Sequence, residues 1–125
     1  MNFPFRPRLL ASTLAFNLLT LLPPAAFGAE ATLQAPGADE ALAGRLRGAS
    51  SSVAASGETN VQELLAAALS DYRTLVQVLY DAGHFSPVVN IRLDGREAAR
   101  IQPLNPPKNV SKVEITVKPG PRFAF

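Results

Sequence analysis

From residue 61 onward the hydrophobic positions keep a helical period. Val61, Leu64, Leu65, Ala68, Tyr72, Leu75, Val76 and Leu79 return to one face every three or four residues, which predicts a long amphipathic helix. Gln62, Ser70, Arg73, Thr74, Gln77 and Asp81 occupy its other faces. Thr59 followed by Gln62 has the form of a capping box at the start, and Gly83 supplies the left-handed residue that closes such a helix. Beyond Gly83 the period drops to two. Val89, Ile91 and Leu93 alternate with Asn90 and Arg92, and Val113, Ile115 and Val117 alternate with Glu114 and Thr116, so each run predicts a half-buried strand. Asp94-Gly95 ends the first run as a turn. Residues 96–109, with Pro103, Pro106 and Pro107, are too long for a tight hairpin and too proline-rich for a helix. Pro119-Gly120-Pro121 breaks the last strand, and the residues from Arg122 to Phe125 read as the start of another element. Upstream, Leu42, Leu46, Ala49 and Val53 form a narrow apolar stripe behind Asp39, a helix cap. Gly44 and Gly48 weaken that helix, and the Ser- and Ala-rich residues 50–57 end it in a loop. Ala31, Thr32, Leu33 and Gln34, before the turn Pro36-Gly37, predict a short first strand.

The N-terminus follows a different rule. Residues 1–8 carry Arg6 and Arg8 and no acid, and residues 9–22 form an apolar run of 14. As a helix it would reach only about 21 Å, short of the ~30 Å hydrocarbon core of a bilayer. Pro23 and Pro24 stop it, and Ala25, Ala26, Gly28, Ala29 and Ala31 supply small residues behind them. This is the pattern of a secretory signal peptide over residues 1–29, cut after Gly28, Ala29 or Ala31, with the mature chain starting between Ala29 and Thr32. A buried core helix is the alternative, and it would need a polar face that the run does not have.

Charge then changes meaning. The net +2 of the whole chain comes from Arg6 and Arg8, and without them ten basic residues face ten acids. A neutral mature chain lacks the excess of Lys and Arg that binding nucleic acid requires. Cysteine is absent, which excludes disulfides, thiolate metal sites and a cysteine nucleophile. One histidine, His84, cannot form a metal-binding pair and reads as a turn residue. Asp71 and Asp81 are ten residues apart on a helix, about 1000° of rotation, so they are on separated faces and make no acid/base pair. Asn109-Val110-Ser111 matches a glycosylation acceptor only at the level of three residues. No catalytic residue, metal ligand or cofactor is expected, and the chain does not read as an enzyme.

The stretch from Leu75 through Tyr80, Gly83, His84 and Phe85 to Val88 and Val89 resembles the helix-to-strand junction of POTRA domains. His84-Phe85 stands where a Gly-aromatic pair is usual. The end, from Val113 to Lys118 and on through Pro119, Gly120, Pro121, Arg122 and Phe123, is similar to the point at which one such unit hands over to the next. With Asp94, Gly95, Arg96, Glu97 and Ala98, residues 40–125 resemble the first periplasmic module of TamA-type translocation and assembly factors, relatives of BamA. The resemblance implies an α+β fold, a single β-α-α-β-β module over residues 30–119 in which two helices cover a small three-stranded mixed sheet. Residues 120–125 would then begin a following module. It also implies a piece of a longer protein that continues into further modules and a transmembrane barrel, the alternative being a complete single-domain protein.

The functional expectation concerns main chain. If the three strands make one sheet, Val88, Val89, Asn90, Ile91, Arg92 and Leu93 form an edge, and Pro87 before them fits a position that needs no ladder donor. An open edge takes an extended chain as an added strand with little sequence preference. The resemblance makes the partners unfolded outer-membrane or autotransporter polypeptides, together with other subunits of an assembly machinery. Nucleic acid is not among them, and the membrane would be met only through the barrel. Localisation is periplasmic after signal cleavage, whereas full-length relatives are in the outer membrane. The second reading is a free-standing periplasmic scaffold module, without client binding, whose Asn90 and Arg92 merely keep the edge soluble.

Overall fold

A computed structural model describes residues 28–123 of the chain. The predicted signal peptide falls, but for Gly28 and Ala29, outside the described residues, as do residues 124–125. The fold is α+β. In chain order it runs β1 (Glu30–Gln34), α1 (Glu40–Ala49), α2 (Ser51–Ala54), α3 (Val61–Asp81), β2 (Val88–Leu93), β3 (Arg96–Glu97), a 3-10 turn (Ala98–Arg100) and β4 (Lys112–Lys118). The strands form one mixed sheet in the order β1-β4-β2-β3. β4 is parallel to β1 and antiparallel to β2, and β2 is antiparallel to β3.

The expected three-stranded sheet therefore has a fourth strand. Asp94 (φ 49°) and Gly95 (φ 86°) both have positive φ, the geometry of a two-residue hairpin turn that matches the twist of its strands. Chain expected to be irregular thus turns straight back, and Arg96 and Glu97 pair with Leu93 and Arg92. The Asp94 carboxylate also accepts the Ser111 and Lys112 N–H groups at 2.9–3.1 Å, which fastens the hairpin to the start of β4.

The long helix ends as its sequence predicts and begins one residue later. Asn60, not Thr59, is the cap: its Oδ1 accepts the N–H groups of Gln62 and Glu63, while Glu58 accepts those of Thr59 and Asn60. At the other end Gly83 (φ 92°) lets the Gly83 and His84 N–H groups reach the carbonyls of Tyr80 and Leu79, a Schellman closure. The α1 stripe also breaks earlier than a continuous helix to Val53 would. Ser50 is extended, its side chain caps α2, and the chain restarts at Ser51.

One layer of helix covers one face of the sheet. Leu64, Leu75 and Leu79 of α3 and Leu46 of α1 are buried with Ile91, Leu93, Val113, Ile115 and Val117 in a single cluster. The even-numbered residues of β2 and β4 point to the opposite, solvated face, so the period-two alternation has its expected meaning. Among the described residues no helix is long and apolar enough to cross a membrane.

Candidate functional site

One lateral edge of the sheet, on the side of β2 away from β4, is only partly occupied. β2 itself is not the last strand, because β3 follows it in the sheet. Yet β3 pairs only with Arg92 and Leu93, so the site residues named from sequence divide into two halves. Arg92 and Leu93 are covered by β3, and among the described residues no strand pairs with Val88, Val89, Asn90 or Ile91 on that side.

Alternation along β2 decides which groups are available there. The Ile91 N–H donates at 3.0 Å to Glu97 Oε2, on the β3 side, so residues 89, 91 and 93 direct their main chain away from β4. Asn90 and Arg92 therefore direct theirs into the β4 ladder, opposite Thr116 and Glu114. Ile91 is further closed off. Tyr72 Oη–H donates to Glu97 Oε2 and lies 3.4 Å from the Ile91 carbonyl, and it accepts the Ala99 N–H at 3.2 Å. One carboxylate and one phenol thus stand where a neighbouring strand would present its carbonyl and N–H. Burial, and then the hydrogen bond to Glu97, push the Tyr72 hydroxyl up to about 12 from its usual value of 10.0. Among the described residues the outward main chain of Val89 has no hydrogen-bond partner, and the Pro87 carbonyl is next in phase; Pro87 itself has no N–H to offer.

The chain leading into β2 is apolar and aromatic. Val88 is 50% exposed, and Phe85 lies edge-on to Tyr80 and stacks on Phe123, with ring centres 5.6 and 5.9 Å apart. This segment is held by the chain's last described residues: His84 and Arg122 form an isolated bridge, Phe123 N–H donates to the Gly83 carbonyl, and His84 Nδ1 lies 3.1 Å from the Gly120 carbonyl. At the other end of β2 a groove is lined by Asn90, Arg92, Gly95, Arg96, Glu97 and Arg100.

The far edge of the sheet, along β1, is covered by side chains and loop at Ala29, at the Ala31 N–H and at the Leu33 carbonyl. Ala29 exchanges hydrogen bonds with Gly57 and Glu58, Ala31 N–H donates to Ser56 Oγ, and Arg47 reaches the Leu33 carbonyl at 3.4 Å. Among the described residues no group of three or more His, Asp or Glu side chains could hold a metal ion.

No protein-family model, curated protein or solved structure matches this chain. Its own geometry has to carry the functional reading.

The sequence does not assign Tyr72 or Glu97 to the site. Tyr72 sat in the apolar stripe, where a ring at helical spacing reads as core. Glu97 followed the Asp94-Gly95 turn, and recognising that turn as a hairpin would have placed a carboxylate beside β2.

Proposed function

We propose that this domain is a POTRA-like receptor module, acting in the periplasm after export, that takes an extended polypeptide as an added strand along the outer side of β2. The observation that carries the reading is the outward main chain of Val89, left without a strand partner among the described residues beside exposed Val88. Main-chain pairing supplies affinity without selecting a sequence, which suits unfolded outer-membrane clients. The element order supports this reading, since without β3 and α2 it runs β-α-α-β-β.

A scaffold module without clients is the second reading, and the Glu97–Tyr72 cap over Ile91 favours it, because sealing an edge with side chains is how proteins prevent pairing. The two readings part at Val89. Its N–H makes no bond to β4, so Val89→Pro should fold, lose an outward donor and bind an alternating apolar barrel-strand peptide more weakly than Val89→Ala does. Chemical-shift perturbation on the folded variants checks this. Equal binding by both, or none by the unaltered protein, favours the scaffold.

A further inference from the structure

The groove at the β3 end of the open edge differs in charge from the rest of the chain. Arg92, Arg96 and Arg100 line it with a single carboxylate, Glu97. That carboxylate is already engaged, because Oε2 accepts from Ile91 N–H and the Tyr72 hydroxyl, and Oε1 is 3.9 Å from Arg92 Nε. Within the groove three guanidiniums thus face one carboxylate that serves mainly to cap main chain, and Glu114 lies opposite Arg92 across the β2–β4 ladder. Without Arg6 and Arg8 the remaining chain has as many acids as bases, so this local excess is a property of the groove rather than of the molecule.

Arginine presents a planar fork of donors matched to carboxylate, and a cationic patch beside a strand edge also steers an oppositely charged chain into register. We infer that the groove takes an acidic extended segment: its main chain pairs with Val89, and carboxylates at its β3 end are held by Arg92, Arg96 and Arg100. This rests on the strand-addition reading and adds a preference to it. Exposed Val88 at the opposite end of β2 fixes polarity, with the apolar part of the ligand near Pro87 and the acidic part near the hairpin. The ligand is thus an amphiphilic strand with its acids gathered at one end, not a uniformly charged chain.

Fluorescence anisotropy on the purified chain tests it with three labelled peptides. The first alternates apolar residues and ends in acids, the second has glutamines in place of the acids, and the third is the acidic peptide with prolines at the ladder positions. The acidic peptide should bind about tenfold tighter than the glutamine peptide at low salt, as expected for three partly exposed ion pairs, and the gap should shrink as salt rises. Arg92→Gln/Arg96→Gln/Arg100→Gln should remove the gap and leave the glutamine peptide's affinity unchanged. Should the triple variant fail to fold, Arg96→Gln and Arg100→Gln singly should each narrow the gap about two- to threefold. Equal binding of the acidic and glutamine peptides overturns the inference while strand addition stands. Undiminished binding of the proline peptide also overturns it, because charge would then act without an extended ladder. If no peptide binds, strand addition itself fails.

Discussion

Tyr72 joins the core to the open edge through a single oxygen. Its ring belongs to the apolar stripe of α3, and its hydroxyl donates to Glu97 and accepts from Ala99 N–H. Burial of that oxygen, and then its hydrogen bond to Glu97, favour the neutral phenol. Its pKa is thus raised from 10.0 to about 12 in the fold. The unfolded chain then loses the proton first, so the stabilisation is complete below pH 10 and is lost as pH rises toward about 12. In a Tyr80→Phe background, where Tyr72 is the sole tyrosine, phenolate absorbance should rise with a midpoint near pH 12, and the urea midpoint should fall across the same window. A phenolate midpoint at the ordinary value of 10.0 would mean that Tyr72 does not hold Glu97 over the Ile91 main chain.

Among the elements, the joint between α1, α2 and α3 depends on one buried carboxylate. Asp71, 0% exposed on α3, accepts Ser50 Oγ–H at 2.6 Å and the N–H groups of Ser51 and Ser52 at 2.7 and 3.0 Å. These N–H groups lie at the start of α2, where no intrahelical carbonyl is available to them. Asp71→Ala leaves them unsatisfied and should lower stability by about 2–4 kcal/mol. Ser52 provides the opposite case. Its hydroxyl is buried without a hydrogen-bond partner among the described residues, so Ser52→Ala should be neutral or stabilising by up to about 1 kcal/mol. Urea midpoints of the two variants check the pair. An unchanged midpoint for Asp71→Ala would show that packing alone holds the joint. Neither role was visible in the chain. Asp71 fell outside both the apolar stripe and the named polar faces, and only docking of the Ser-rich turn onto α3 makes it core.

For the whole molecule, the question is where the fold begins. Ala29 is fully buried, its N–H donates to the Glu58 carbonyl, its carbonyl accepts the Gly57 N–H, and Glu30 opens the parallel pairing with Lys112. A side chain at Gly28 would strike the Gly57 carbonyl at 1.9 Å. Of the three cuts that the small residues allow, those after Ala29 and Ala31 would remove part of this framework. The cut after Gly28 keeps Ala29 and Glu30 with their hydrogen bonds, and Ala26-Phe27-Gly28 has small residues at the two positions that matter for cleavage. N-terminal sequencing of exported protein should therefore read Ala29 first. A start at Thr32 would place the first residues of β1 on the wrong side of the processing site, and an intact Met1 would remove the export reading.

Hydrophobic periodicity by itself determined α3, β2 and β4 and the faces they bury, because side-chain direction follows directly from a repeat of 3.6 or 2. Gly83 was legible as the end of α3 because a left-handed residue strongly favours glycine, and the Asp39 cap because an orphan N–H needs a side-chain acceptor within a few residues. The site was legible only as a strand. Its edge character depends on who lies beside β2, and that neighbour, β3, is too short to show a period of its own. Tertiary structure decided the rest: which half of β2 stays open, that Glu97 and Tyr72 close Ile91, and that Arg92, Arg96 and Arg100 converge on one groove. Alternation specifies the face on which a side chain lies, but the partners of a main-chain group are chosen by strand order and register, which are set by contacts between residues far apart in the chain.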